Sequence, residues 1–357
     1  MKICYLNQTL KGGSGAANFY NSLSAAMKKL APGLNTESLA SENLLYPNKL
    51  KLLLALPVIR SVFKRCDLIH ALDGWPYGVV AALANIGLAK PLIITAVGTG
   101  AVKPLYNPLK RRLLGWAYRR ADRVVAVSNN TKREILKFLP DLKVEVIPHG
   151  VDAARFQSVH AGYQEEARKL GPYILSVGSL KPRKGFQYSI EAFAKIAASF
   201  PDLKYVIVGG GPERENLEYR IKNLGIENRV VFLSHIHQDY VSALYQNARL
   251  FMLLSQDDQK DIEGFGLVFL EAAACGLPII ATRGTSAEDA VLDGQNGILV
   301  PPRDPGAAAE AMHEILSDSN TRKKMFEESL KFAGEMNWEK AAESYKKIYS
   351  KILDSRF

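Results

Sequence analysis

Two carboxylates eight positions apart, Glu263 and Glu271, bracket an apolar run that begins with Gly264 and Gly266. If these glycines form a turn and a helix starts at Leu267, the N–H groups at the helix terminus make an anion site. At about 1.5 Å rise per residue, the glutamates would lie roughly 10–12 Å apart on nearly one face. We expect one carboxylate to bind sugar hydroxyls and the other a ribose, with phosphates between them. An ordinary helix with acidic residues near its start is the alternative.

Glycine and basic residues collect in loops that follow short apolar runs. The sequence G-G-S-G (12–15) follows the first run, and G-S-L-K-P-R-K-G (178–185) follows a later one. Glycines let the backbone approach a phosphate or sugar closely. Arg183 and Lys184 could neutralise a diphosphate. No acidic residue follows the first loop where an adenosine ribose would need it, so a dehydrogenase is not favoured. A structural turn stays open for that first loop.

The elements that must position these loops alternate between β-branched runs and stretches of helical length. Short apolar runs separated in this way predict buried parallel strands in βαβ units. The first series of predicted strands is Ile3–Leu6, Leu68–Ala71, Leu92–Thr95, Val124–Val127 and Val144–Ile147. The second series is Tyr173–Val177, Lys204–Val208, Val230–Leu233, Leu250–Leu254, Ile279–Ala281 and Ile298–Val300. The sequence therefore predicts two Rossmann-like domains. Ligands are expected beyond the carboxyl ends of the strands.

Charge is unevenly distributed along the 357 residues. Residues 1–150 carry 21 Lys/Arg against 8 Asp/Glu, a net of +13, whereas the remainder carries 25 against 28, a net of −3. A basic half indicates an acidic partner, and basic residues interleaved with Leu, Phe and Trp in 49–65 and 103–120 are typical of interfacial helices. We find no helix-turn-helix, zinc finger or stacking platform, so nucleic acid is not favoured. Two ordinary amphipathic helices packed on a sheet are the alternative.

The remaining composition predicts a cytosolic protein. The three cysteines have no metal-ligand spacing, and the start lacks the apolar core of a signal peptide. His235 and His237 have no nearby third ligand of the usual kind, so a metal site is not expected. The D-D-x-x-D pattern at 257–261 follows a predicted strand and is interpreted as a solvated loop. The best candidates for acceptor contact are Asp73 and Trp75, in a loop that could equally be a capped turn, and His149.

Together these segments resemble the retaining nucleotide-sugar glycosyltransferases of family 4, which have the two-domain GT-B architecture. The resemblance covers nearly the whole chain and is densest from Ile147 to Asp304. Its motifs follow the family's order: GGSG (12–15), VAVSNNT (125–131), IPHGVD (147–152), VGSLKPRKG (177–185), VIVGGGPE (206–213), VVFLSH (230–235), E-x7-E (263–271), EAAACGLPII (271–280) and GILVPP (297–302). Each motif alone is weak, but the ordered set is specific.

The resemblance implies a role for each matching residue. Glu271 would hold the nucleotide ribose, and Glu263 would face the donor sugar. Lys184, aided by Arg183, would bind the diphosphate. The diphosphate would also be bound by the backbone N–H groups of Phe265, Gly266 and Leu267. The phosphates would be approached from the other domain by Gly13 and Gly15. No metal or other cofactor would be needed.

Two positions depart from the family pattern. Where many members have a histidine that hydrogen-bonds the donor sugar, this chain has Val97, which can neither donate nor accept a hydrogen bond. Where many members carry an arginine after the first strand of the second domain, this chain has Ser179. Both departures concern the part of the donor site where the sugar reacts more than the part that binds the nucleotide.

The resemblance also implies the domain organisation. We expect residues 1–152 to form an N-terminal, acceptor-side domain and residues 153–335 a nucleotide-sugar domain, with the two sheets facing a central cleft. Residues 336–357 would form a helix that crosses back to the N-terminal domain.

The predicted function is metal-independent, retaining transfer of a hexose-type sugar from a nucleoside diphosphate to a glycan, lipid-linked or small-molecule acceptor. A cytoplasmic location is expected, with the basic domain at an anionic membrane face. The alternatives are a nucleotide-sugar epimerase or hydrolase of the same fold and, because of Val97, a catalytically weak subunit that binds nucleotide sugar.

Overall fold

The protein divides into two compact units, each with its own parallel sheet. The computed structural model describes residues 1–7, 15–40, 51–156, 159–257 and 261–355. The first unit comprises Met1–Gly150, Gln259–Phe265 and Trp338–Phe357, and the second comprises Val151–Asp258 and Gly266–Asn337. The predicted second domain included residues 261–265, which in the structure belong to the first unit.

Six parallel strands form the sheet of the first unit, in the order β2-β1-β3-β4-β5-β6. These strands are β1 (Lys2–Asn7), β2 (Asn35–Ala40), β3 (Leu68–Leu72), β4 (Leu92–Ala96), β5 (Arg123–Ala126) and β6 (Val144–Val146). The helices of the first unit are α1 (Gly15–Leu30), α2 (Leu56–Lys64), α3 (Val79–Ala84), α4 (Thr99–Val102), α5 (Pro108–Arg120) and α6 (Asn129–Leu136), together with Trp338–Asp354 near the end of the chain.

The second unit repeats this plan, with strand order β12-β11-β10-β7-β8-β9. Its strands are β7 (Tyr173–Val177), β8 (Lys204–Val208), β9 (Val230–Leu233), β10 (Leu250–Leu253), β11 (Ile279–Thr282) and β12 (Gly297–Val300). Its helices are α7 (Ala161–Arg168), α8 (Phe186–Ile196), α9 (Arg214–Asn223), α10 (Gln238–Asn247), α11 (Leu267–Ala274), α12 (Pro305–Ser317) and α13 (Ser319–Glu335). The terminal helix of the first unit, Trp338–Asp354, is therefore α14.

The structure confirms the α/β architecture with two parallel sheets. All eleven predicted strands are present, with end residues that differ by at most one position. The strand missed by the sequence is β2, whose residues N-T-E-S-L-A lack an apolar run. Among the described strands it pairs only with β1 and so lies at the sheet edge, and an edge strand can remain partly solvated. Its burial rises only at its last two residues.

Helix α14 packs on the first unit, as the fold prediction required. It contacts α1, and its buried face includes Trp338, Tyr345 and Tyr349. The Tyr349 hydroxyl lies 2.8 Å from Nδ1 of His70 in β3. The other ring nitrogen of His70 lies 2.7 Å from the Thr95 hydroxyl. This buried polar network fixes the helix against the sheet, because each partner would otherwise lose a hydrogen bond in the interior.

Candidate active site

The carboxyl ends of β4, β5 and β6 in the first unit are covered by the segment 261–265, which contains Glu263. The Thr99 hydroxyl, at the start of α4, lies 2.9 Å from Oδ1 of Asp261 and 3.0 Å from the carbonyl oxygen of Ile262. Gly98, with φ of +149°, lies against Gly264. A side chain at Gly264 would overlap the carbonyl oxygen of Val97. Two glycines therefore allow two backbones to touch here.

A second hydroxyl holds the other side of Glu263. The Thr131 hydroxyl donates to the carbonyl oxygen of Gly264 at 3.2 Å. Ser128 in turn donates to the Thr131 hydroxyl at 2.9 Å and caps α6 by accepting from the Thr131 amide at 2.9 Å. This explains the S-N-N-T sequence after β5: one serine begins the helix and also orients the threonine. The carbonyl groups on both sides of Glu263, at residues 262 and 264, are thus held by threonines.

An aromatic cluster closes the end of this segment. The His149 ring stacks on Phe19 at 4.8 Å between centroids and lies 5.1 Å from Phe265 and 5.6 Å from Trp338. His149 is 5% exposed, and neither ring nitrogen has a hydrogen-bond partner within the described ranges. Burial lowers its pKa from 6.5 to about 3, so the ring is neutral. His149, predicted to contact the acceptor, lies inside this cluster; its role with an acceptor stays a prediction.

The other predicted acceptor residues follow β3. Asp73 accepts a hydrogen bond from the amide of Gly74 at 2.8 Å through Oδ1, which caps the turn. Its carboxylate also lies against Gly100, where any side chain would overlap Oδ2. Trp75 is half-buried, and the ammonium of Lys110 lies 5.7 Å from its ring. The loops after β3 and β4 therefore pack together at the carboxyl edge, where a ligand of this sheet is expected.

In the second unit, Lys184 lies at the carboxyl end of β7 between two closely packed glycines, Gly178 and Gly185. Lys184 is 7% exposed and ends a short turn, Pro182–Lys184. A side chain at Gly178 would meet Cε and Cδ of Lys184 at 3.7 and 3.8 Å, so the lysine stem lies over this glycine. Gly185 follows with φ of +67°, and a side chain there would overlap the carbonyl oxygen of Leu254. A long cationic side chain is thereby held in one place on a rigid edge.

Neighbouring loops brace the residues around Lys184. The backbone N–H of Gln256 donates to the carbonyl oxygen of Arg183 at 2.6 Å, which joins the loops after β10 and β7. Gly209 has φ of +151°, and a side chain there would overlap the carbonyl oxygen of Gly178. Gly209, directly after β8, therefore allows the close packing of two loops. Arg183 is half-buried beside Lys184, whereas Ser179 is exposed.

The second carboxylate, Glu271, lies on α11. The Tyr245 hydroxyl donates to its Oε2 at 3.0 Å. Burial raises the pKa of Glu271, while the bond from Tyr245 and the nearby charge of Arg155 act in the opposite direction. Helix α11 begins at Leu267 after Gly266, which has φ of +79°, and no side chain of the described residues caps this terminus. The helix therefore starts where the sequence predicted, and the binding of phosphates at its N-terminus stays a prediction.

The structure corrects one expectation and leaves another outside its range. The prediction that Glu263 and Glu271 are separated by helical turns is wrong, because the helix begins at Leu267 and Glu263 precedes it. Only Glu271 is helical, and the chain passes from the first unit to the second between Phe265 and Gly266. Gly13 lies outside the described residues. Gly15 is the first residue of α1.

Four hydroxyl groups near these edges were missed by the sequence reasoning. Thr99 and Thr131 hold the segment around Glu263, and only the S-N-N-T motif gave a signal for either of them. Ser255, after β10, and Ser286, after β11, are buried, and their hydroxyls have no partner within the part of the chain that the structure describes. Both follow strands at the carboxyl edge of the second sheet, where a polar ligand could satisfy them.

The described residues contain neither a cluster of metal ligands nor a helix that could span a membrane. Among residues 1–7, 15–40, 51–156, 159–257 and 261–355, no three His, Cys, Asp or Glu side chains come together as a metal site would require. In the same ranges, no helix has the length and apolar content needed to cross a bilayer.

Sequence comparisons place two known families on the two units. The family described as "Glycosyl transferases group 1" matches residues 163–332, and "Glycosyltransferase Family 4" matches residues 28–155. The GDP-mannose-dependent alpha-(1-6)-phosphatidylinositol monomannoside mannosyltransferase of Mycolicibacterium smegmatis is 31% identical over 282 residues, which cover 75% of this chain and 73% of that protein. The D-inositol 3-phosphate glycosyltransferase of Corynebacterium glutamicum is 31% identical, over 80% of this chain and 72% of that protein. The N-acetyl-alpha-D-glucosaminyl L-malate synthase of Bacillus anthracis is 29% identical, over 80% and 75%.

Solved structures show the same fold. Anabaena Alr3699/HepE, in complex with UDP and glucose, has a TM-score of 0.80 at 21% identity, with 98% of this chain and 100% of that chain covered. The sucrose-phosphate synthase of Thermosynechococcus elongatus has a TM-score of 0.81 at 22% identity, with 99% of each chain covered. These likenesses confirm the GT-B architecture.

Proposed function

Because the chain belongs to the family 4 type of group 1 glycosyltransferases, a nucleotide-sugar-dependent class, we propose that it catalyses metal-independent, retaining transfer of a hexose-type sugar from a nucleoside diphosphate. The observation that carries the proposal is the placement of Lys184: a buried lysine whose stem lies over Gly178 at the carboxyl end of β7 in the second sheet. Such a fixed cation stabilises the charge that develops on a departing diphosphate.

In the proposed reaction, the acceptor hydroxyl oxygen bonds to the anomeric carbon while the bond from that carbon to the diphosphate oxygen breaks. The leaving phosphate takes the acceptor proton on the same face of the sugar, which retains the anomeric configuration. Lys184, Arg183 and the N-terminus of α11 stabilise the nucleoside diphosphate. Glu271 accepts hydrogen bonds from the ribose, and Glu263 faces the donor sugar.

The acceptor is proposed to carry negative charge and to be lipid-linked or small. Three relatives named above act on phosphatidylinositol monomannoside, inositol 3-phosphate or L-malate according to their names, and each of these compounds is anionic. The net of +13 on residues 1–150 fits such an acceptor. Asp73 and Trp75 lie in the loop proposed to meet it.

A second candidate function, a binding subunit with weak catalysis, is favoured by one observation. Val97 is half-buried with its carbonyl against Gly264, and its side chain offers no hydrogen bond where many family members have a histidine. Separate measurements of donor hydrolysis and of transfer to an acceptor distinguish a transferase from a hydrolase and from this subunit.

The test compares Lys184→Ala with Lys181→Ala, an exposed lysine of the same loop. We expect K184A to slow transfer and to weaken binding of the nucleoside diphosphate by on the order of 1.5–3 kcal/mol, the usual cost of losing a charged hydrogen bond. Binding of the bare nucleoside should change little, and K181A should resemble the wild type. Isothermal titration with UDP, GDP and ADP gives the affinities, and product anomers are read by NMR.

The same enzyme assayed in EDTA should retain its activity. Loss of activity on chelation, with recovery on addition of magnesium or manganese, would show the metal-independent mechanism to be wrong. An inverted product anomer would exclude the retaining reaction.

A further inference from the structure

One helical layer of the first unit carries an unusual share of exposed apolar side chains. Of the twelve large hydrophobic side chains that are exposed among the described residues, six belong to this layer: Leu53, Leu54, Val58, Ile86, Leu109 and Leu113. Leu54 is 66% exposed and Leu109 is 69% exposed. A group of exposed apolar side chains on one surface is typical of a site that contacts a protein, a ligand or a membrane.

These side chains lie on neighbouring elements. Helix α3 contacts both α2 and α5, so the three helices cover one side of the sheet. Helix α2 buries Ile59, Val62 and Phe63 and leaves Val58 exposed. On α5, Leu109 and Leu113 are four positions apart, which puts them on one stripe. We name the surface formed by Leu53–Arg65 and Lys103–Arg120 the basic apolar surface.

The same surface is cationic throughout. Residues 53–65 and 103–120 contain nine Lys/Arg and no Asp or Glu. Within the described residues, the ion pairs of these side chains are Arg65 with Glu37 and Arg119 with Asp141. The exposed side chains of Lys64, Lys103, Lys110, Arg112 and Arg120 therefore have no carboxylate partner in the described part of the chain.

We propose that the basic apolar surface docks the protein on an anionic lipid bilayer, with its leucines in the interface and its basic side chains at the lipid headgroups. Interfacial elements combine these two features, since apolar side chains enter the headgroup region while Lys and Arg remain near the phosphates. A second copy of the chain would bring like charges together on this surface. Nucleic acid would leave the leucines in water. The proposal goes beyond the proposed transfer reaction and does not depend on it.

Vesicle co-sedimentation without donor or acceptor tests the proposal. The vesicles are either phosphatidylcholine alone or an equimolar mixture with phosphatidylglycerol. Lys64→Ser, Lys110→Ser and Arg112→Ser together should weaken binding to the anionic vesicles about 100-fold, because each basic residue near such a surface contributes roughly a factor of five. Leu54→Ser, Leu109→Ser and Leu113→Ser together should weaken it at least about tenfold. Binding should also fall as salt is added.

Matched controls come from the second unit, where Lys222, Lys323 and Lys324 are exposed, as are Leu224 and Leu292. Serine at these positions should leave vesicle binding unchanged. All variants change exposed side chains, so their melting temperatures should match the wild type. Equal binding to neutral and anionic vesicles would overturn the proposal, and so would leucine variants that bind like the wild type. A concentration-dependent dimer that the leucine variants abolish, seen by sedimentation without lipid, would overturn it in favour of self-association.

Discussion

At the scale of single residues, Glu271 illustrates how a residue proposed to bind a ribose can oppose stability. Burial raises the pKa of its carboxyl group, so the folded protein holds the proton more tightly than the unfolded chain does. The folded state is therefore favoured below the unfolded pKa, and this advantage is lost as the pH rises through the folded pKa. Ionising this buried carboxyl group therefore costs stability, and the hydrogen bond from Tyr245 and the nearby charge of Arg155 reduce the cost.

We therefore expect Glu271→Gln to be at least as stable as the wild type at pH 7 while binding nucleoside and nucleoside diphosphate more weakly by about 1.5–3 kcal/mol. Thermal unfolding and calorimetric titration measure the two effects. Glu310→Gln, at an exposed position of α12, should change neither. Unchanged affinity for both ligands in E271Q would reject the ribose assignment.

At the scale of elements, the segment 261–265 depends on two threonine hydroxyls and two glycines. Thr99→Val and Thr131→Val keep the side-chain shape but remove the bonds to the carbonyl groups at 262 and 264. Each should slow transfer about fivefold, since one hydrogen bond is worth about 1 kcal/mol. Affinity for the free nucleoside diphosphate should persist, because Lys184 and Glu271 belong to the second unit.

Serine at either position should restore most of the rate, because it returns the hydroxyl. Gly264→Ala should give a larger loss than either valine variant, since its side chain would overlap the carbonyl oxygen of Val97. Gly210→Ala is the matched control, because nothing lies within 4 Å of a side chain at that glycine. If the valine variants weaken nucleoside diphosphate binding as much as transfer, the threonines do not act through Glu263.

The elements also show which features a sequence can reveal. Parallel strands of a covered sheet are short apolar runs separated by stretches of helical length, so eleven of them could be predicted, and so could the loops with Lys184 and Gly266. Strand β2 could not, because an edge strand needs no apolar run. The attachment of 261–265 to the first unit could not either, because it rests on contacts between Gly98 and Gly264 and on two hydroxyls. Contacts between distant segments leave no periodic pattern in the chain.

At the scale of the whole molecule, the two units differ in net charge and in their buried histidines. The net of +13 lies on residues 1–150, and two buried histidines, His70 and His149, also belong to the first unit. Burial lowers the pKa of each from 6.5 to about 3. Between pH 6.5 and about 3, the two histidines therefore bind protons in the unfolded chain but remain neutral in the folded unit. Stability that is fully present above pH 6.5 is lost as the pH falls toward 3.

The first unit should consequently unfold at a higher pH than the second when the protein is acidified. Between pH 6 and 4, each of the two histidines should lower the unfolding free energy of the first unit by about 1.4 kcal/mol for each unit that the pH falls.

All three tryptophans, Trp75, Trp116 and Trp338, belong to the first unit. Their fluorescence therefore follows that unit, whereas far-UV circular dichroism follows both. His149→Phe should place a similar ring among Phe19, Phe265 and Trp338 and shift the fluorescence transition to lower pH. His313→Phe, at an exposed position of α12, should leave it in place. Two results would contradict this prediction: fluorescence and circular dichroism transitions at the same pH, or a fluorescence transition in H149F at the same pH as in the wild type. The second result would mean that His149 is already solvated in the folded protein, since such a histidine gains no proton affinity on unfolding.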